Sequence, residues 1–242
     1  MNLTQIVEEE YPELKPSELI NFKVRENNEV KTLISLFKEW LDLSHANAIE
    51  YRYDKMGYHT IPVKYSPAGG ASMRLTLLCD KISSFVCTSE LCSEDITSLC
   101  FLIGDFEKHP SFTSSGEFFM PLINAHHSKT KNPLYTLVTT HLQSKINVLG
   151  KRNANAIINI YGDIGDALGE EMNGGIITLY GNANSRVGSS VNNGTIILNG
   201  DAGEDVGSFM QNGRIELNGT YQTISRHIRG GEIYWKGEKI SE

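Results

Sequence analysis

Long hydrophobic runs are missing from this sequence. Nowhere do 18 apolar residues follow one another, so no transmembrane helix is expected. The opening stretch MNLTQIVEEEYPELK has neither a basic patch nor an apolar core and does not read as a secretory signal. Cysteine is scarce. The four residues Cys79, Cys87, Cys92 and Cys100 lie close together, with seven, four and seven residues between them. Those intervals match no zinc knuckle, and the thiols read as buried and free rather than as metal or redox ligands. Positive charge is in short supply too: Lys plus Arg total 22 against 29 Asp plus Glu, a formal charge of −7. Such a balance argues against nucleic acid or an anionic membrane as a general partner, and the expectation is a soluble cytoplasmic protein.

Glycine, by contrast, is plentiful, and from Gly162 onward it is periodic. GDIGDALGEEMNGGIITLY, GNANSRVGSSVNNGTIILN and GDAGEDVGSFMQNGRIELN follow one another as 19-residue units, with GTYQTISRHIRGGEIYWK one residue shorter. One such unit cannot bury its own apolar face, so the period marks a solenoid. Several glycines per unit, at about 1 kcal/mol each relative to alanine, exclude a helical repeat. Each unit ends in an alternating segment, which makes it one coil of a parallel β-helix. The expected inward column is Ile177, Ile196, Ile215 and Ile233, followed by Leu179, Leu198, Leu217 and Trp235. A second inward column falls at Leu168, Val187 and Val206, then Met172, Val191 and Met210. Asparagines also recur in columns, Asn173 with Asn192 and Asn193 with Asn212, and read as mutually supporting turn residues. Ile158 to Gly162 and Ile146 to Gly150 share the apolar-x-apolar-x-Gly ending. Only 12 residues separate those two glycines, which implies an abbreviated first coil.

The spacing Gly162-x2-Gly165-x3-Gly169 recurs at Gly200-x2-Gly203-x3-Gly207. It resembles the GXGXG repeat domain found at the C-terminal end of the glutamate synthase large chain and in one of the polypeptides of formylmethanofuran dehydrogenase. The resemblance covers about residues 145 to 237. It implies a right-handed parallel β-helix that braces neighbouring domains or polypeptides and contributes no catalytic residue. Asn184 departs from the pattern in the second unit, and Gln222 and Arg226 depart from it in the fourth.

Residues 1–133 read as a separate α+β domain, joined to a β-helix over residues 134–242. Pro12 and Pro16 punctuate a lead-in, and Ser17 opens a short helix through Phe22. From Asn28 to Leu43, apolar residues Val30, Leu33, Ile34, Phe37, Trp40 and Leu41 hold the helical period, with Asn27 or Asn28 as cap. Period two then takes over: Ile49, Tyr51 and Tyr53 alternate, a turn follows at residues 54–57, and His59, Ile61, Val63 and Tyr65 complete a hairpin. Gly69 and Gly70 read as a turn rather than a phosphate cradle, with a strand at Met73, Leu75 and Leu77 after them. A helix spans Ser93 to Ile103, a short strand covers Phe118 to Met120, and the polar stretch Asn124 to Pro133 is the linker.

Chemistry is thinly represented. His126 and His127, with Asp105 and Cys79 or Cys100, offer a base and a nucleophile should folding join them, and His109 extends the same group to a metal set. Paired histidines in a polar loop are ordinarily solvated, and no His pair sits at helical ligand spacing. The acidic corner of Asp163, Asp166, Asp201, Glu204 and Asp205 lacks the calcium-binding nonapeptide period and reads as solvated. Neither a cofactor nor a metal is expected. What remains is surface: outward-facing Ile176, Tyr180, Ile197 and Tyr234 form an apolar strip on the sheet. The favoured reading is a scaffold that docks a protein partner or a second copy. The alternative is a hydrolase or transferase of amide or acyl groups, working in the N-terminal domain or the interdomain groove.

Overall fold

The computed structural model describes residues 23–55, 71–132 and 134–241, with the side chains of 46–55 and 71–75 outside that description. The short helix at Ser17, the strand at His59 to Tyr65 and the Gly69-Gly70 turn therefore lie outside the described residues. Among the described residues, four α-helices precede the strands: α1 (Asn28–Lys55), α2 (Ala71–Thr88), α3 (Ser93–Leu102) and α4 (Gly116–Thr130). Six parallel strands follow: β1 (Leu134–Val138), β2 (Ile157–Tyr161), β3 (Asn173–Tyr180), β4 (Asn193–Leu198), β5 (Arg214–Leu217) and β6 (Glu232–Trp235). A short β7 (Glu238–Lys239) closes the sheet antiparallel to β6.

The helical part corrects the α+β expectation: every described element before Leu134 is helical. In α1 the stripe Val30, Leu33, Phe37, Trp40 and Leu41 is buried, and the Asn27 side chain accepts from the Val30 amide at 2.9 Å as the cap. The helix continues through Ile49 to Tyr53, where the alternation predicts a strand, because no glycine or proline interrupts it before Gly57. The strand expected at Met73 to Leu77 is the first part of α2. Its buried set is Leu78, Ile82 and Val86, one residue off the alternating set, which leaves Leu77 59% exposed. Ile96, Leu99 and Cys100 of α3, with Ile103 just after it, form the buried face read from the sequence. Asp95 closes its first turn by accepting from the Cys92 amide at 3.0 Å.

Phe118 to Met120 belong to α4 and not to a strand, and the expected linker from Asn124 is mostly the rest of that helix. Pro121 lies inside it. Burial of Phe118, Phe119, Leu122 and Ile123 on one core offsets the lost backbone bond. Gly116 lets α4 begin against the solenoid, since a Cβ there would lie 2.3 Å from the Asn147 carbonyl oxygen.

The strands stack in sequence order, and coils recur roughly 19 residues apart over about five turns. Registers are as the repeat demands: Ile158, Ile177, Ile196, Ile215 and Ile233 line up, as do Ile160, Leu179, Leu198, Leu217 and Trp235. Both inward columns are buried, including Leu168, Val187 and Val206, except that Trp235 at the last coil is half-buried. Gly150 is not the end of an abbreviated coil. It shares a corner with Gly169, Gly188 and Gly207, all at positive φ, while Gly162 opens the column continued by Gly181. At each corner glycine a Cβ would lie 2.3 to 2.7 Å from the Cδ1 of an inward isoleucine: Ile177, Ile196, Ile215 and Ile233 in turn. The side-chain amide of Asn192 donates to Asn173 Oδ1 at 3.0 Å, and that of Asn218 donates to Asn199 at 2.9 Å, so the asparagines form ladders.

Both ends of the sheet are closed. At the first, the Thr97 hydroxyl of α3 donates to the Thr136 carbonyl at 2.8 Å, and the Cys100 thiol donates to the Val138 carbonyl at 3.2 Å, which occupies edge acceptors of β1. At the other, Lys236 and Gly237 (φ 50° and 87°) turn the chain back so that β7 pairs with β6. One cluster of buried apolar side chains runs from Leu33 in α1 through to Ile233 in β6.

The register makes a paired prediction. Ile196→Ala empties a fully buried site and is expected to cost about 2–5 kcal/mol, whereas Ile197→Ala, on the outward face, is expected to cost under about 1 kcal/mol. Urea unfolding of the two variants reads the difference, and equal losses would refute this register.

Candidate functional site

The histidines that stand out in the sequence are not in a solvated loop. His126 lies on α4 and is 2% exposed. Its Nε2 bonds the Leu91 carbonyl at 3.0 Å, where only donation is possible, so its Nδ1 accepts from the Tyr135 hydroxyl at 2.9 Å. Burial is the main influence on its pKa and lowers it, with the charge of Lys129 acting in the same direction. The ring is thus a neutral bracket joining α4, the loop before α3 and β1. His127 bonds the Asn132 carbonyl through Nδ1 at 2.7 Å, across the end of α4. Neither Asp105 nor a cysteine is among the partners of these imidazoles; Asp105 is exposed in the 3-10 turn after α3. His109 lies 3.4 Å from an Asp42 oxygen and edge-on to His45. Among the described residues, no three His, Cys, Asp or Glu side chains converge as a metal site.

The cysteines are free. Burial pushes the Cys100 thiol up to about 12, consistent with its role as a donor to β1. Cys79 lines a groove of about 460 Å³ between α1, α2, α4 and a solenoid corner, with Trp40, Glu117, Met120, Lys151 and Arg152. Burial, and then the charges of Asp80 and Glu117, raise the Cys79 pKa. The groove therefore presents a thiol and not a thiolate at neutral pH. Burial works against the charge on Lys151. Glu170, 2.9 Å away, and Glu117, at 3.5 Å, outweigh it and raise the pKa of the ammonium. Asn124 fixes the wall of the groove by donating to the Arg152 carbonyl and accepting from the Ala154 amide. No sequence pattern signals that Lys151 and Glu117, from separate elements, meet.

The outward sheet face is built from alternate residues of each strand. Ile157, Ile176, Thr195, Arg214 and Glu232 form one row, and Asn159, Thr178, Ile197, Glu216 and Tyr234 the next. Ile176, Tyr180, Ile197 and Tyr234 are all half-buried, and the four do not make one uniform strip. Tyr180 stacks on Tyr161 at 4.8 Å and packs with Val138 and Phe101, so α3 shields that corner of the face. Tyr234 sits in a charged network: Arg214 lies 3.8 Å over its ring, its hydroxyl donates to Glu232, and Lys239 pairs with Glu232. The hydrogen bond from Lys239, and then that from Tyr234, hold Glu232 below its ordinary pKa. Ile176 and Ile197 lie between the aromatic end and this charged end.

No protein-family model, curated protein or solved structure matches the chain. Among the described residues, no helix is long and apolar enough to cross a membrane.

A second neutral histidine accompanies His126. His141 stacks on Phe101 with ring centres 5.1 Å apart, and burial lowers its pKa against the opposing effects of the Phe101 backbone and Glu107. A histidine whose folded pKa lies below its unfolded value of about 6.5 contributes fully above that pH, and its contribution is lost as pH falls through the folded pKa. The urea midpoint is therefore expected to be lower at pH 5 than at pH 7.5, with His141→Phe narrowing the gap. An unchanged gap in the variant would show that His141 is not held neutral.

Proposed function

We propose that this chain is a non-catalytic scaffold whose solenoid braces the helical segment and whose outward sheet face docks a protein partner or a second copy. The observation that carries the reading is the pair Ile176 and Ile197, apolar side chains on the outer face of the sheet between the Tyr161–Tyr180 stack and the Arg214–Glu216–Glu232 network. An apolar centre framed by hydrogen-bonding and charged groups is how docking surfaces are organised. Supporting it, the polar groups best suited to chemistry serve structure: His126 and Cys100 hold β1 to the helices.

On this reading the solenoid is right-handed and of the GXGXG type, with residues 1–133 as the braced unit and residues 134–242 as the brace. Parallel strands joined by crossovers are right-handed in about 98% of cases, which supports the handedness. The partner is a protein and not nucleic acid or a membrane, in keeping with the net charge of −7, and the setting is the cytoplasm. The enzyme alternative would use the groove at Lys151 and Glu117, where Cys79 is the candidate nucleophile and its raised pKa argues against it.

Light scattering on the full chain, alone and after affinity capture, is the test. A dimer or a stable complex is expected, and Ile176→Asp or Ile197→Asp is expected to weaken it by tenfold or more. A parent chain that stays monomeric and captures nothing, or complexes indifferent to both substitutions, would remove the reading.

A further inference from the structure

At the solenoid corner continued by Phe209, the side chains in successive coils are Arg152, Glu171, Ser190 and Phe209, all at φ between 54° and 58°. Three are polar, as a corner facing water requires. The fourth is a phenylalanine, 45% exposed and held in a conformation that a bulky residue adopts only at a cost. Its ring is stacked on His227 in the next coil, centres 5.5 Å apart and planes within 8°, and the Arg229 guanidinium lies 5.5 Å from its centre. Arg226, His227 and Arg229 are all exposed.

Their charge is unusual for this molecule. Arg25, Arg152, Arg186 and Arg214 each lie within ion-pair distance of a carboxylate. Among the described residues, Arg226 and Arg229 have no carboxylate partner, although the chain carries an excess of acid. The strained, exposed ring of the third unit meets the cations of the fourth, the unit that departs most from the repeat.

We propose that the corner of Phe209, Arg226, His227 and Arg229 is a docking site for an acidic segment of a partner protein. The two guanidiniums match carboxylates, and the Phe209–His227 stack offers a flat platform for an aromatic or aliphatic side chain among them. A short acidic peptide can rest on these two cations alone, whereas a longer nucleic acid would extend along a chain whose net charge is −7 and whose Phe209 coil itself carries Asp201, Glu204 and Asp205. The site is separate from the sheet face and stands whether or not that face docks anything.

The test is a fluorescence anisotropy titration of a labelled Glu-Glu-Tyr-Glu-Glu-Glu peptide with the full chain. Binding is expected at about 50 mM salt and should weaken roughly tenfold by about 300 mM. Arg226→Glu with Arg229→Glu is expected to lower affinity more than about tenfold, while Arg214→Ala, on the sheet face, leaves it unchanged. Phe209→Gly should lower affinity about fivefold without lowering Tm, because glycine accepts positive φ freely. The proposal is overturned if the parent does not bind the peptide, if the double charge reversal binds as well as the parent, or if Phe209→Gly loses Tm and not affinity. Tighter binding of a twelve-nucleotide oligothymidylate than of the peptide would also overturn it and assign the corner to nucleic acid.

Discussion

The solenoid depends on one steric fit repeated up its axis. At Gly150, Gly169, Gly188 and Gly207 the chain turns at positive φ, and the space a Cβ would take is filled by the tip of an inward isoleucine. Two requirements coincide there. The backbone must adopt a left-handed conformation, and the core must reach the inside of the corner without a void. Any other residue meets the first at a cost and cannot meet the second. Coil spacing and strand register follow from that fit, since a coil shifted by one residue would drive a side chain into the isoleucine and turn the inward columns outward.

A stack of coils is still unfinished at its ends, and the helical segment finishes one of them. α3 lies along β1 with two side-chain donors on its carbonyls, and His126 links the same strand to α4 and to the loop before α3. The buried cluster is continuous from helices to coils. The packing is mutual: the coils give the helices a wall, and the helices give the first coil the neighbour that later coils obtain from the repeat.

The coils are legible in the sequence because period 19 states the same information four times, so each column can be checked against its copies. The ladder of Asn173 and Asn192 can be read that way, whereas that of Asn199 and Asn218 is found only in the structure. Among segments that occur once, the faces of α1 and α3 are readable, but others are not. Met73, Leu75 and Leu77 alternate as a strand would, yet the core takes Leu78, Ile82 and Val86, a choice set by packing against α1 and α4. Pro121 suggests an end where Phe118, Phe119, Leu122 and Ile123 hold a helix together through it. Gly150 misleads because its ending imitates that of Gly162, and only the pairing of coils separates the two corners. Of the outward residues, the positions of Ile176 and Ile197 are readable. The shielding of Tyr180 and the ion network around Tyr234 depend on elements distant in sequence. Phe209 is visible in the repeat as the apolar member of a polar column, but its stack on His227 crosses to the next coil.

The reversal at Lys236 and Gly237 bears on how large an object this sequence can build. A parallel coil exposes, at its last strand, the template from which another coil could grow, and an identical molecule could supply that coil without limit. β7 runs the other way, is two residues long, and carries Glu238 and Lys239 where a further strand would have to lie. An incoming first strand would meet the wrong polarity and two charges to desolvate, while its own β1 edge is already engaged by α3. Within the described sheet, the edge of β6 is therefore taken by β7 and acceptors of β1 are taken by α3.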